Sequence, residues 1–100
     1  MAKPVFTNKA IEDLSAIWEY TLETWSEKQA DRYYKLLINA CMELAENPNS
    51  GKSYFEIYPD LYGKRISKHL IFYRLVAENQ LEISRILHDR MDLENRLEEE

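Results

Sequence analysis

The sequence predicts an α+β domain. An N-terminal helical hairpin packs on a small antiparallel β-sheet in the order β-α-α-β-β-β, and a short C-terminal helix comes last. Two observations carry this. Apolar side chains recur at helical spacing through residues 10–25 and again through 30–45, with only a few residues between the two runs. Residues 68–93 then hold a strand that is apolar at almost every position (Leu70, Ile71, Phe72, Tyr73, Leu75, Val76). A polar break at 77–80 separates it from a second strand (Leu81, Ile83, Ile86, Leu87). Two β-branched and aromatic runs flanking a short polar break read as a hairpin, and a near-continuous apolar run reads as a central strand covered on both faces.

Each element has its own warrant. Residues 3–7 (KPVFT) suit an edge strand, because Pro4 has no N–H to give to a ladder. Thr7 or Asn8 is placed to cap the first helix. Its apolar side is Ala10, Ile11, Leu14, Ile17, Trp18, Leu22 and Trp25, while Glu12, Asp13, Glu19 and Glu23 fall mostly opposite. Ser26 with Gln29 three residues on is a capping-box pattern. The second helix therefore starts at once and folds back on the first. It carries Ala30, Tyr33, Tyr34, Leu37, Ile38, Cys41, Leu44 and Ala45, and it stops at Asn47-Pro48, where Gly51 permits a turn. Residues 52–60 read equally as extended chain or loop. Residues 61–67 read as a strand that Gly63 weakens or marks as bulged, and Ser67-Lys68 is the turn into the central strand. Residues 91–97 have weak helical spacing, and 98–100 fray.

Composition narrows the function. One hundred residues make a single domain, 1–100, and 45% hydrophobic with 12% aromatic content is that of a folded chain. No apolar run approaches the roughly 18–20 residues of a membrane span, and no charged-then-apolar leader opens the chain. The expectation is a soluble, cytoplasmic protein with no membrane partner. Cys41, inside an apolar stripe, reads as a reduced core thiol. The net charge is −5: residues 1–51 carry five basic and eight acidic side chains, 52–88 six and four, and 89–100 two and six. No Lys/Arg cluster of the kind that binds phosphate is present, so direct nucleic-acid binding is not expected. His69 and His88 lie 19 residues apart without a neighbouring cysteine or carboxylate pattern, so no metal is expected.

The ordered set of motifs resembles the ParE branch of the RelE/ParE toxins of bacterial toxin–antitoxin systems. The residues that carry the resemblance begin with Ala10-Ile11-Glu12-Asp13-Leu14, Ile17-Trp18, Tyr20, Trp25, Gln29-Ala30 and Tyr33, then Leu44-Ala45-Glu46-Asn47-Pro48 with Gly51. They continue through His69-Leu70-Ile71-Phe72-Tyr73-Arg74 and Ile86-Leu87-His88 to Met91-Asp92-Leu93. The resemblance implies a helical hairpin on an antiparallel sheet and a toxin without cofactor that a ParD-type antitoxin neutralises. It also implies one of two targets. ParE toxins act on DNA gyrase, whereas RelE-like relatives cleave mRNA on the ribosome, and a shared fold does not choose between them.

An mRNA-cleaving toxin needs cations on the phosphate and a general acid and base. Lys64, Arg65, Arg74, Arg85 and His88 are the available groups, with Glu56 as a base. Each has a plainer reading: Arg74 and Arg85 as partners of Glu82, Glu56 or the acidic helix surface, His88 as a hydrogen-bonded structural histidine, and Lys64 and Arg65 as a solvated edge. The acidic C-terminal segment, with no tyrosine after Tyr73, departs from the nuclease pattern and would repel RNA. The gyrase-directed, non-enzymatic reading is therefore favoured, with no catalytic residues. A ParE-like module that has lost toxicity is the third reading.

A binding protein of this kind is expected to use two surfaces. The first is a groove between helical hairpin and sheet where a disordered antitoxin tail folds on contact, with Trp18, Trp25, Tyr33 and Tyr34 as aromatic anchors. Ordinary packing beneath the helices is the competing reading, above all for Trp18. The second is the end of the last strand, where the resemblance places the part linked to toxicity. Arg85, His88, Arg90 and Met91 are there as gyrase contacts, with core closure as the competing reading for Met91.

Overall fold

The computed structural model describes residues 3–77, 80–90 and 97. Strand β1 (Pro4–Phe6) leads into helices α1 (Asn8–Thr24) and α2 (Glu27–Glu46). A 3-10 turn (Pro48–Ser50) then precedes strands β2 (Lys52–Ser53), β3 (Tyr62–Ile66), β4 (His69–Ala77) and β5 (Gln80–His88). The helices start where their caps require. Thr7 Oγ1 accepts from the Ala10 amide at 3.0 Å, and Ser26 Oγ accepts from the Gln29 amide at 3.1 Å.

The five strands lie in the order β1-β5-β4-β3-β2. This is the expected α+β arrangement with two corrections. Strand β1 sits at the edge but runs parallel to β5, so the sheet is mixed. The ambiguous stretch 52–60 gives a two-residue strand, Lys52–Ser53, and otherwise turns. The helical spacing noted for 91–97 lies outside the described residues except at Leu97, which is buried.

Alternation along β4 separates two cores. Ile71 and Tyr73 pack under the helices with Leu14, Leu37, Cys41 and Leu44. Leu70 and Phe72 face the other way and pack with Leu61, Leu87 and Leu97. Both faces of the central strand are therefore covered, as its unbroken apolar run implied.

The two glycines of the chain have reasons the sequence did not disclose. Gly63 is no bulge: it pairs regularly with Lys52 and Phe72. A Cβ there would come within 2.6 Å of the Tyr54 ring, so the position is kept open by aromatic packing over the strand. Gly51 has φ −86°, which any residue adopts. A Cβ at Gly51 would meet the Tyr73 hydroxyl. That hydroxyl donates to the Pro48 carbonyl at 2.6 Å and accepts from the Gly51 amide at 3.1 Å, tying the turn after α2 to the core. At the β3–β4 turn, Ser67 takes φ 56° where glycine would be unstrained, at a cost of about 1–2 kcal/mol.

Candidate functional site

Strand β5 carries an irregularity on which the candidate site depends. Phe72 pairs with Arg85 but Tyr73 pairs with Ile83, which leaves Ser84 as an extra residue. The bulge lets Ile83 and Ile86, three apart, both reach the core beneath the helices. It also frees backbone groups, and Thr7 and helix α1 supply their partners. Thr7 Oγ1 donates to the Ser84 carbonyl at 2.8 Å, and the Asp13 carboxylate accepts from the Ile86 amide at 3.0 Å. The same carboxylate takes Arg85 Nε at 2.8 Å and Nη2 at 3.0 Å.

Arg85 is therefore not a surface contact. It is 4% exposed, and its guanidinium is forked onto Asp13 from the acidic side of α1. The physical reason is the bulge, which turns residue 85 under the first turns of α1. Of the other residues placed at the end of β5, His88 is half-buried and Arg90 exposed, while Met91 lies outside the described residues. His88 Nδ1 lies 3.1 Å from both the Arg90 amide and the Asp89 carboxylate.

Two histidines distant in sequence prove to be cross-strand partners. His69 opens β4, His88 closes β5, and their rings meet edge to face at 5.2 Å. The Tyr33 hydroxyl lies 2.6 Å from His69 Nδ1. Burial, then the neighbouring His88, pushes the His69 imidazole down to about 4, against partial compensation by Asp89 and Asp13. His69 is thus neutral at physiological pH and shares a hydrogen bond with Tyr33, whose direction follows the imidazole tautomer. No group of three metal-ligating side chains forms among the described residues.

The four aromatic anchors separate into two kinds. Trp18 Nε1 donates to Asp31 at 3.2 Å and pins α1 to α2, and Tyr33 pins α2 to β4, so both serve the packing of the hairpin. Trp25 and Tyr34 are exposed, Trp25 at 72%. Ile11 and Tyr20 of α1 and Leu36 and Met42 of α2, not among the expected anchors, are also exposed. Ile11, Trp18, Leu22 and Trp25 succeed one another at spacings of seven, four and three, which is one stripe along α1 beside its buried side. The spacing was legible; which part of the apolar arc the sheet would cover was not.

Of the groups in the nuclease reading, Arg65 and His88 meet on the Asp89 carboxylate, and the others lie apart. Arg85 is on Asp13, Arg74 on Glu82 at 3.1 Å, and Arg65 on Asp89. Lys64 donates to the Ser50 carbonyl on the helix side of the sheet.

Residues 5–93 match the family model described as the ParE toxin of the type II toxin–antitoxin system parDE. The chain belongs to the ParE toxin family. It is 34% identical to toxin ParE1 of Mycobacterium tuberculosis (strain CDC 1551 / Oshkosh) over 84 residues, covering 84% of this chain and 86% of that one. It is 33% identical to toxin ParE of Escherichia coli over 97 residues, covering 97% and 94%. Among solved structures, the chromosomal ParDE system from P. aeruginosa aligns with a TM-score of 0.76 over 88% of this chain and 96% of that one. At 19% identity it shows the shared fold. The chain is thus a ParE toxin of a type II system, and no helix among its described residues is long and apolar enough to cross a membrane.

Proposed function

We propose that this ParE chain acts in the cytoplasm by binding DNA gyrase, without catalysing a reaction of its own, and that a ParD-type antitoxin holds it inactive. The observation that supports the target assignment is the dispersal of the arginines. Arg65, Arg74 and Arg85 are each held by a carboxylate of the chain, on different parts of the sheet. RNA cleavage needs such groups converged and open to a phosphate. The acidic net charge of −5 points the same way.

The antitoxin surface is the apolar stripe of α1, exposed Ile11 and Trp25 with half-buried Leu22 between them, and Tyr34 of α2. A helix laid on it would bury large aromatic area at low entropic cost. His88 and Arg90, with Met91, are the proposed gyrase contacts. Arg85 supports that segment from beneath.

A supercoiling assay on relaxed plasmid tests the reading, with gyrase, gyrase plus this chain, and then added antitoxin. Inhibition or trapped cleaved DNA that antitoxin reverses is the expected outcome. Full supercoiling at a molar excess of toxin would remove gyrase as the target and direct attention to ribosome-dependent mRNA cleavage. An unchanged growth rate on expression without antitoxin would mark a module that has lost toxicity.

A further inference from the structure

The β4–β5 ladder ends on the His69–His88 pair, and Asp89 follows it, immediately ahead of Arg90. Both halves of Asp89 are held. Its amide donates to the Lys68 carbonyl at 2.9 Å, which ties its backbone to the β3–β4 turn. Its carboxylate gives one oxygen to each of two neighbours. Oδ2 takes the Arg65 guanidinium from near the end of β3, and Oδ1 lies 3.1 Å from His88 Nδ1. Arg65 is fixed in turn, because its Nε donates to the Ser67 carbonyl at 3.2 Å. Strand β3, its turn into β4 and the end of β5 thus meet on one carboxylate.

Folding stability does not account for this arrangement. The Arg65 side chain is 62% exposed, and an exposed ion pair contributes little to the fold. The bond from the Asp89 amide to Lys68 needs no side chain, so the backbone would still close without the carboxylate. What the carboxylate adds is direction. It fixes the His88 ring and, through it, the start of the chain at Arg90, whose amide lies 3.1 Å from His88 Nδ1. Groups already held in one arrangement lose less conformational freedom when they bind.

We propose that Asp89, held by Arg65, is a positioning residue that presents His88 and Arg90 to gyrase. This rests on the gyrase reading above. The bond to Arg65 is charge-assisted, so an amide at position 89 keeps the shape and loses much of the hold.

The test compares Asp89→Asn, Asp89→Ala, Arg65→Met, Arg65→Lys and the Arg65→Met/Asp89→Ala double variant in the supercoiling assay. Loosening His88 and Arg90 should raise the half-inhibitory concentration about tenfold in Asp89→Ala and Arg65→Met, and by less in Asp89→Asn. Arg65→Lys keeps a charged donor for the carboxylate and should stay within about threefold of the parent. The double variant should be no weaker than either single one, because both break the same contact. Melting temperatures should stay within about 5 °C of the parent. In ¹⁵N-labelled toxin without gyrase, Asp89→Ala should shift the His88 ring nitrogens and lower the heteronuclear NOE of the Arg90 amide, leaving α1 unchanged.

Parent-like inhibition by Asp89→Ala would overturn the positioning role, as would unchanged signals at His88 and Arg90. A loss in Arg65→Met that Asp89→Ala does not share would make Arg65 a direct contact and also overturn it. A larger fall in melting temperature would make Asp89 a structural residue instead. If the unsubstituted chain left supercoiling intact, the gyrase reading itself would fall, and this role with it.

Discussion

Neutralising Asp13 should cost this protein a large part of its stability, although the residue sits on the polar side of an amphipathic helix. Its carboxylate receives both Arg85 nitrogens, at 2.8 and 3.0 Å, and the Ile86 amide at 3.0 Å. The Arg85 side chain is only 5% exposed, so its charge has little recourse to water. Removing one partner of such a buried pair costs about 3–5 kcal/mol. Leaving the Ile86 amide without its acceptor adds about 1–3 kcal/mol. Against a total of about 5–15 kcal/mol for a domain of this size, Asp13→Ala should approach global unfolding.

Asp13→Asn keeps an oxygen for Ile86 and loses only the charge, so about 3 kcal/mol is expected, or a melting temperature lower by about 12–24 °C. Urea titrations of Asp13→Asn, Arg85→Met and the double variant form a thermodynamic cycle. The double variant removes both charges and should lie within about 2 kcal/mol of the parent, with a coupling energy of about 2 kcal/mol or more. A loss below about 1 kcal/mol for Asp13→Ala would refute the reasoning, because that is how a solvated surface pair behaves. The experiment also bears on toxicity. Loss of activity in Arg85→Ala is expected to come from lost structure, so His88 and Arg90 are the better sites for a test of gyrase contact.

Three further outcomes are expected. Tyr73→Phe strands the Pro48 carbonyl and the Gly51 amide and should cost about 1–3 kcal/mol by urea titration, while Gly51→Ala should destabilise by driving a Cβ against the same hydroxyl; parent-like midpoints for both would dissociate the turn from the core. His69 titrates near 4 in the fold against an ordinary 6.5, so its contribution to stability is complete above about pH 6.5 and is lost as pH falls towards 4. Discounted for partial solvent access, the decline should be about 1–2 kcal/mol, and His69→Gln should remove it; the same decline in that variant would assign it to other groups. Burial pushes the Cys41 thiol up to about 12, so a thiol reagent at pH 8 should modify it no faster than the protein unfolds, and stoichiometric reaction of the native state would contradict its burial.

Much of this architecture was readable from short stretches of chain. The two helices, the Thr7 and Ser26 caps, the β4–β5 hairpin and the buried Cys41 each derive from neighbours within a few residues, because caps and periodicity act at that range. Of the partners offered for Arg74 and Arg85, the structure takes Glu82 and the acidic side of a helix and leaves Glu56 aside. The depth of Arg85 was not legible, and it was placed among the surface contacts. One inserted residue, Ser84, shifts the face of the residues after it, and a period-two pattern contains no mark of it. The Tyr33–His69–His88 contact was likewise invisible, since strand register brings together histidines that the chain holds far apart. Local chemistry thus determined which segments become helix and strand and which residues are apolar enough to be buried. Only the packed structure decided that β1 runs parallel, that Asp13 closes over a bulge, and that Trp25 stays in water while Trp18 pins the helices. These depend on contacts across most of the chain, and the chain registers them only once the sheet has formed.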